Sequence, residues 1–265
     1  MPALTAFTDL PFGHHIRQAL DLFVPAKADD AVTVVCVHGG WWSAGHHHDL
    51  RAFALHLAEL GFPAATVGHR FLGNDVRGGQ EIVDDVRAAA QRAVEEASLL
   101  GADPASVVLL GSGSGSLPAL AAAHQMIADR KCRVRVRAAI ACGVTPSLEP
   151  WEGCPIGLTK ALHAFAGQQT HQLSPIDLKA DTFPPLLLLH GDADAEVPAK
   201  AANKLHARIA ETGEPSQFAV LAGVGHQFIE NPFERQARMA IDRIVPFLKE
   251  HTVKPQPATA EVRER

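Results

Sequence analysis

Residues 106–123 constrain this chain more than any other stretch. Ser106-Val-Val-Leu-Leu110 is a short apolar run, Gly111-Ser-Gly-Ser-Gly-Ser116 alternates glycine with serine, and an Ala- and Leu-rich segment follows. Strand, glycine turn and helix in that order make a sharp reversal that lifts one side chain above a sheet edge, with glycines where backbones pass closely. A nucleophile elbow has this layout. Its G-x-S-x-G form needs serine two residues after the first glycine, and here that position is Gly113. The pattern speaks more clearly for an architecture than for a reaction.

The rest of the chain repeats the alternation. Residues 31–37 are almost unbroken apolar and β-branched, as a strand buried on both faces of a parallel sheet requires. Residues 63–67, 133–142, 185–190 and 217–221 read as further strands, and residues 20–25, which end at Pro25, as an outer strand. Between them, residues 49–60 and 80–97 place apolar side chains at helical spacing. Residues 198–212 form a helix with proline at its first position and Gly213 beyond its end. Asn231-Pro232 caps a last helix to about Glu250, kinked by Pro246. Such alternation predicts an α/β fold with a mostly parallel central sheet flanked by helices on both faces.

A chain of 265 residues buries one large core, and no linker or repeat divides it, so residues 1–251 form a single domain. Residues 143–181 lack a clear period and carry Pro146, Pro150, Trp151, Pro155 and Pro175. They read as a lid or substrate-loop insertion over a strand end. Residues 252–265 are polar and charged, a flexible C-terminal tail.

Charge and composition narrow the partners. A formal net charge of −5 offers no field for nucleic acid or an anionic membrane. No apolar stretch approaches the roughly 18 residues of a membrane span. The N-terminus lacks a signal peptide's basic start and apolar run, so a cytoplasmic location is expected. Cys36, Cys132, Cys142 and Cys154 form no C-x-x-C pair, and Cys36 and Cys142 read as buried free thiols. No tyrosine exists to act as a phenolic acid. Adjacent histidines such as His46-His-His48 seldom converge on one ion without a further carboxylate or histidine, so they read as surface residues. No metal or cofactor is expected. Asp84-Asp85 reads as a solvated helix face or a helix–loop contact, and Arg133-Val-Arg-Val-Arg137 as a surface strip.

Three loops follow the carboxyl ends of expected strands, where open α/β sheets place their sites. In His38-Gly-Gly-Trp-Trp42, Gly39 and Gly40 let backbone N–H groups turn toward a small anion, as an oxyanion hole requires. The elbow is the second loop. The third has two parts, His190-Gly-Asp-Ala-Asp194 and Gly223-Val-Gly-His226, on neighbouring strand ends. A carboxylate and an imidazole so placed can pair, the acid orienting the ring and stabilising its protonated form. Trp42 and Trp151 are candidate substrate contacts.

The order elbow, acid, histidine is that of the α/β hydrolases. The chain resembles their esterase/lipase group, near small carboxylesterases and kynurenine formamidase-like enzymes. His38-Gly-Gly-Trp-Trp42 is similar to that group's oxyanion loop, and Asp103-Pro-Ala-Ser-Val-Val-Leu-Leu-Gly111 to its approach to the elbow. Pro184-Pro-Leu-Leu-Leu-Leu-His-Gly-Asp-Ala-Asp194 resembles its approach to the acid, and Gly223-Val-Gly-His-Gln-Phe228 its histidine loop. The resemblance implies hydrolysis of a small ester or amide. Asp194 would be the acid, His226 the base, and the N–H groups of Gly40, Trp41 and Ser114 the oxyanion hole.

Two departures stand out. Gly68-His69-Arg70 replaces the group's usual Asp-Tyr-Arg, and Gly113 occupies the nucleophile position. Three explanations of the second stay open. Ser112 or Ser114 substitutes as nucleophile; the chain has lost covalent hydrolysis and binds a ligand or partner, or catalyses slowly with water; or the glycine is a deliberate Ser→Gly change that traps substrate.

Overall fold

The computed structural model describes residues 3–252. Eight strands form one sheet: β1 (Leu4–Pro11), β2 (Ala19–Pro25), β3 (Thr33–Val37), β4 (Ala64–Val67), β5 (Ser106–Ser112), β6 (Arg135–Cys142), β7 (Leu186–Gly191) and β8 (Ser216–Leu221). Their spatial order is β1-β2-β4-β3-β5-β6-β7-β8. β1 pairs antiparallel with β2, and β2 antiparallel with β4; every other pairing is parallel.

Side-chain alternation along the central strands sorts the core into two layers. Val35, Val37 and Leu109 face one layer, and Val34, Cys36, Val108 and Leu110 the other. On the first face lie α2 (Gly79–Ser98), α3 (Ser116–Ala128), α4 (Ile156–Ala166) and α6 (Ala199–Ala210); the second is covered by α1 (Arg51–Glu59) and α7 (Arg235–Thr252). A short helix α5 (Thr170–Leu173) follows α4. The helix after the elbow, α3, is buried on most sides, which explains its run of alanines and leucines.

The structure differs from expectation at several elements. β1 covers the edge of β2, so residues 19–25 are an inner, wholly buried strand. Leu4–Pro11 shows no period-two burial, and a register shift between Phe7 and Leu10 interrupts its pairing. Residues 143–181 include α4, whose Leu158, Leu162, Phe165 and Ala166 fill the first core layer. Asn231-Pro232 lies a turn before α7 rather than capping it, and Pro198 caps α6 from outside. Thr252 closes α7, and the rest of the expected tail, 253–265, lies outside the described residues. Cys36 and Cys142 are buried free thiols; burial raises the first to about 12 and the second well above its ordinary value. Among the described residues no helix is long and apolar enough to cross a membrane.

Candidate active site

β3, β5, β7 and β8 end at one edge of the sheet, and the loops that follow them meet there. The elbow reverses so tightly because of its flanking glycines. A Cβ on Gly111 would lie 2.3 Å from Ser116 Cα, and one on Gly115 2.3 Å from the His38 carbonyl oxygen. Neither backbone could close with a side chain there. Gly113 forms the tip at φ +53°. That left-handed conformation costs a side-chain-bearing residue about 1–3 kcal/mol, and glycine avoids the cost.

The tip faces His226. A Cβ on Gly113 would lie 3.1 Å from His226 Nε2, an atom that is buried and has no hydrogen-bond partner among the described residues. On the other side of the ring, His226 Nδ1 lies 2.8 Å from Asp194 Oδ2. Asp194 Oδ1 accepts the Glu196 and Val197 N–H groups at 2.8 and 2.9 Å. A second imidazole completes the set. His190 Nδ1 accepts the Val144 N–H at 3.1 Å, so in the neutral ring the proton sits on Nε2. From there it points at the Val197 carbonyl (2.8 Å) and at Asp194 Oδ2 (3.0 Å). Burial alone would raise the Asp194 carboxyl, but hydrogen bonds from His190, His226 and the Val197 amide carry it well below its ordinary value. The acid is therefore an anion, held in position and directed at His226.

The two neighbouring serines turn elsewhere. Ser112 Oγ donates to Glu230 Oε1 at 2.8 Å, and Ser114 Oγ accepts the Trp41 N–H at 2.8 Å. The oxyanion loop packs against the elbow: a Cβ on Gly39 would meet the Ser112 carbonyl at 3.2 Å and Ser114 N at 3.7 Å. Trp41 and Trp42 both adopt positive φ, +49° and +61°. The Trp41 indole stacks parallel to the His226 ring at 5.7 Å and donates to Glu196 Oε2 at 2.8 Å. Trp42 is fully buried, packs 4.2 Å from the Phe165 ring of α4, and donates to the Ser114 carbonyl at 3.0 Å. It anchors the loop from within the core and presents no open face to a substrate, contrary to expectation. Trp151 lines a cavity of about 340 Å³ with Pro146, Glu149, Ile176 and Lys204, a set that includes neither Gly113 nor His226.

Beneath the oxyanion loop, His38 and His69 stack at 4.5 Å. Burial lowers His38 to about 3 and His69 to about 4, so both rings are neutral. Their Nδ1 atoms lie 2.7 Å from the Gly39 carbonyl and 2.9 Å from the Arg70 carbonyl. Arg70 forms a two-pronged contact with buried Asp85, its Nη2 at 2.8 Å and Nε at 3.0 Å, while Asp84 stays exposed. His190, Glu196 and Glu230 were not singled out as partners in the sequence. His190 stood in the acid motif, but its second contact to Asp194 needs the strand-end geometry, and no periodicity marks Glu230.

The sheet order and the strand-end position of these loops are those of the α/β-hydrolase fold. The BD-FAE family model matches residues 20–140, and that of the dienelactone hydrolase family matches residues 156–252. Esterase B from Lactobacillus rhamnosis (HN001) superposes at a TM-score of 0.78 with 16% identity, over 93% of this chain and 85% of that one. Thermogutta terrifontis esterase 2, phosphonylated by sarin, gives 0.74 and 19%, over 96% and 98% of the two chains. A truncated carbohydrate esterase from gut microbiota gives 0.74 and 18%, over 94% and 97%. No curated protein sequence matches the chain. The chain thus has the α/β-hydrolase fold, and two successive stretches of it match the models of α/β-hydrolase families.

Proposed function

We propose that the chain hydrolyses a small carboxylic ester or amide, with water rather than serine as the attacking group. One observation carries this reading: the Nε2 of His226, unpartnered and buried, faces the space a side chain at residue 113 would fill. A water there has a base in reach, and the base has an anionic acid behind it. His226 Nε2 takes a proton from the water as its oxygen bonds to the substrate carbonyl carbon. Asp194 stabilises the imidazolium so formed. The Gly40 and Ser114 N–H groups hold the oxyanion, joined by Trp41 when its amide leaves the Ser114 hydroxyl. Collapse expels the alcohol or amine, which takes the proton back from Nε2. Acid and alcohol (or amine) leave without a covalent enzyme intermediate.

Loss of a triad nucleophile costs roughly 10⁶ in turnover, while about 10³–10⁴ over water survives through the oxyanion hole and binding. Slow, saturable hydrolysis is therefore expected. p-Nitrophenyl acetate and butyrate assayed with the parent and with His226→Ala test it: the variant should lose most of the parent rate, about 10²-fold or more. A parent rate that His226→Ala leaves unchanged would refute the water route.

The alternative is a ligand- or partner-binding protein on the same fold. The Ser114 hydroxyl on the Trp41 amide and the indole over His226 favour it, since both close the catalytic groups to a substrate. Ligand binding with no hydrolysis above buffer in the parent would support that reading. A substitute nucleophile has less support, because Ser112 and Ser114 are both engaged away from His226.

A further inference from the structure

The histidine triplet is only in part a surface feature. His47 is buried, and His46 and His48 flank it on a 3-10 turn, His47–Leu50, that follows the oxyanion loop. The sequence objection to a metal here was the lack of a further carboxylate. The fold supplies two, Asp9 from β1 and Asp21 from β2. Asp9 Oδ1 lies 3.0 Å from His47 Nε2 and 3.1 Å from His48 Nε2, and Asp21 Oδ1 lies 3.6 Å from His47 Nε2. One donor atom from each of the four residues falls within 4.8 Å of every other.

These spacings match a coordination shell. Tetrahedral bonds of about 2.0–2.1 Å to nitrogen and oxygen hold ligand atoms roughly 3.3 Å apart. Two imidazoles and two carboxylates are a donor set suited to zinc and its first-row neighbours, and poorly suited to calcium or magnesium, which prefer oxygen alone.

The surrounding structure also holds the donors in place. Asp9 sits at φ +53°, a left-handed conformation unusual for a non-glycine residue, where the β1–β2 register shifts between Phe7 and Leu10. The bulge brings its carboxylate to both histidines, and its N–H donates to Asp21 Oδ1 at 2.9 Å. The other oxygen of Asp21 accepts from Arg51 Nε at 2.6 Å, which leaves Oδ1 facing the cluster. Outer hydrogen bonds of this kind orient metal-binding carboxylates. The His46 ring caps the turn by accepting the His48 N–H at 3.2 Å, and Asp49 Oδ2 accepts the His46 N–H at 2.8 Å.

We propose that Asp9, Asp21, His47 and His48 bind one divalent first-row transition-metal cation, zinc foremost, in a tetrahedral site that ties β1 and β2 to the turn behind the oxyanion loop. The cluster includes none of Gly113, Asp194 and His226, and the ion takes no part in the hydrolysis described above. Its role is to brace the loop that carries Gly39 and Gly40.

The full chain, stripped with chelator, should take up one equivalent of zinc by elemental analysis, and its Tm should rise with zinc but not with magnesium. Cobalt(II) loaded in its place should give the intense visible bands of a tetrahedral centre. Asp9→Ala and His48→Ala, at side chains 62% and 41% exposed, should fold and each lose tenfold or more in zinc affinity. His171→Ala, a distant exposed histidine, should lose nothing. Zinc uptake unchanged in both Asp9→Ala and His48→Ala would overturn the proposal, as would sub-stoichiometric uptake or a cobalt spectrum without tetrahedral bands in the parent.

Discussion

Consider serine placed at residue 113. The Cβ would start 3.1 Å from His226 Nε2, so the imidazole must give by a few tenths of an ångström. One further bond carries Oγ into the about 2.6–3.2 Å range in which a base can take its proton. Restoring a nucleophile is worth up to roughly 10⁶ in turnover. Part of that gain is withheld, because the Trp41 amide is bonded to the Ser114 hydroxyl, and a missing oxyanion donor costs about 10²–10³. The net expectation for Gly113→Ser is roughly a 10³–10⁴-fold rise in kcat on p-nitrophenyl acetate. A residue with a side chain at φ +53° also costs about 1–3 kcal/mol. At about 2–4 °C per kcal/mol for a domain of this size, Tm should fall by several degrees. The variant should show a burst of p-nitrophenol and take a fluorophosphonate label at residue 113, with the parent unlabelled. A folded variant with lowered Tm, no gain in rate and no label would refute the placement of the tip opposite His226.

Two other substitutions probe the neighbouring contacts. Ser114→Ala frees the Trp41 amide, so the double variant Gly113→Ser with Ser114→Ala should turn over about tenfold or more faster than Gly113→Ser alone, read as kcat with KM little changed. Acid sensitivity should trace to the stacked histidines. Their folded values, about 3 and about 4, lie below the ordinary 6.5, so the unfolded chain binds more protons. Stability from these rings is therefore full above pH 6.5 and lost as pH falls from there toward the folded values. At pH 5 the loss is roughly 2 kcal/mol per ring. Urea melts at pH 7.5 and 5 should show it, and His69→Phe, which keeps a stacking ring, should roughly halve the pH dependence. An equal loss in His69→Phe and parent would refute the assignment.

The sequence was most legible where backbone geometry dictates residue type. Gly111 and Gly115 had to be glycine for the elbow to close, and the apolar run before each loop marked a strand buried on both faces. Asp194 and His226 could be placed because the loops carrying them follow such runs. Legibility failed where a role depends on distant pairing. Leu4–Pro11 alternates with no period, since the register shift breaks its pattern, so neither β1 nor the inner position of β2 was visible. The motif pointed to Trp42 for a substrate contact and to Trp41 only for its amide, yet successive residues at positive φ send the Trp41 indole over His226 and the Trp42 indole into the core. In α4, Leu158, Leu162 and Phe165 carried helical spacing that the surrounding prolines obscured. His47 is buried beside Asp21 of β2, a neighbour that local sequence does not show.

The hydrogen bond between the Trp41 indole and Glu196 has a kinetic consequence. It joins the loops after β3 and β7, between a half-buried Trp41 and an exposed Glu196. A bond of that kind is worth about 1 kcal/mol net, and exposed side chains change rotamer in picoseconds to nanoseconds. Uncovering His226 thus takes one ring swinging aside, with no helix displaced. On the proposed water route, entry and exit on that timescale are far faster than turnover, so the chemical step, and not a conformational gate, is expected to set the rate.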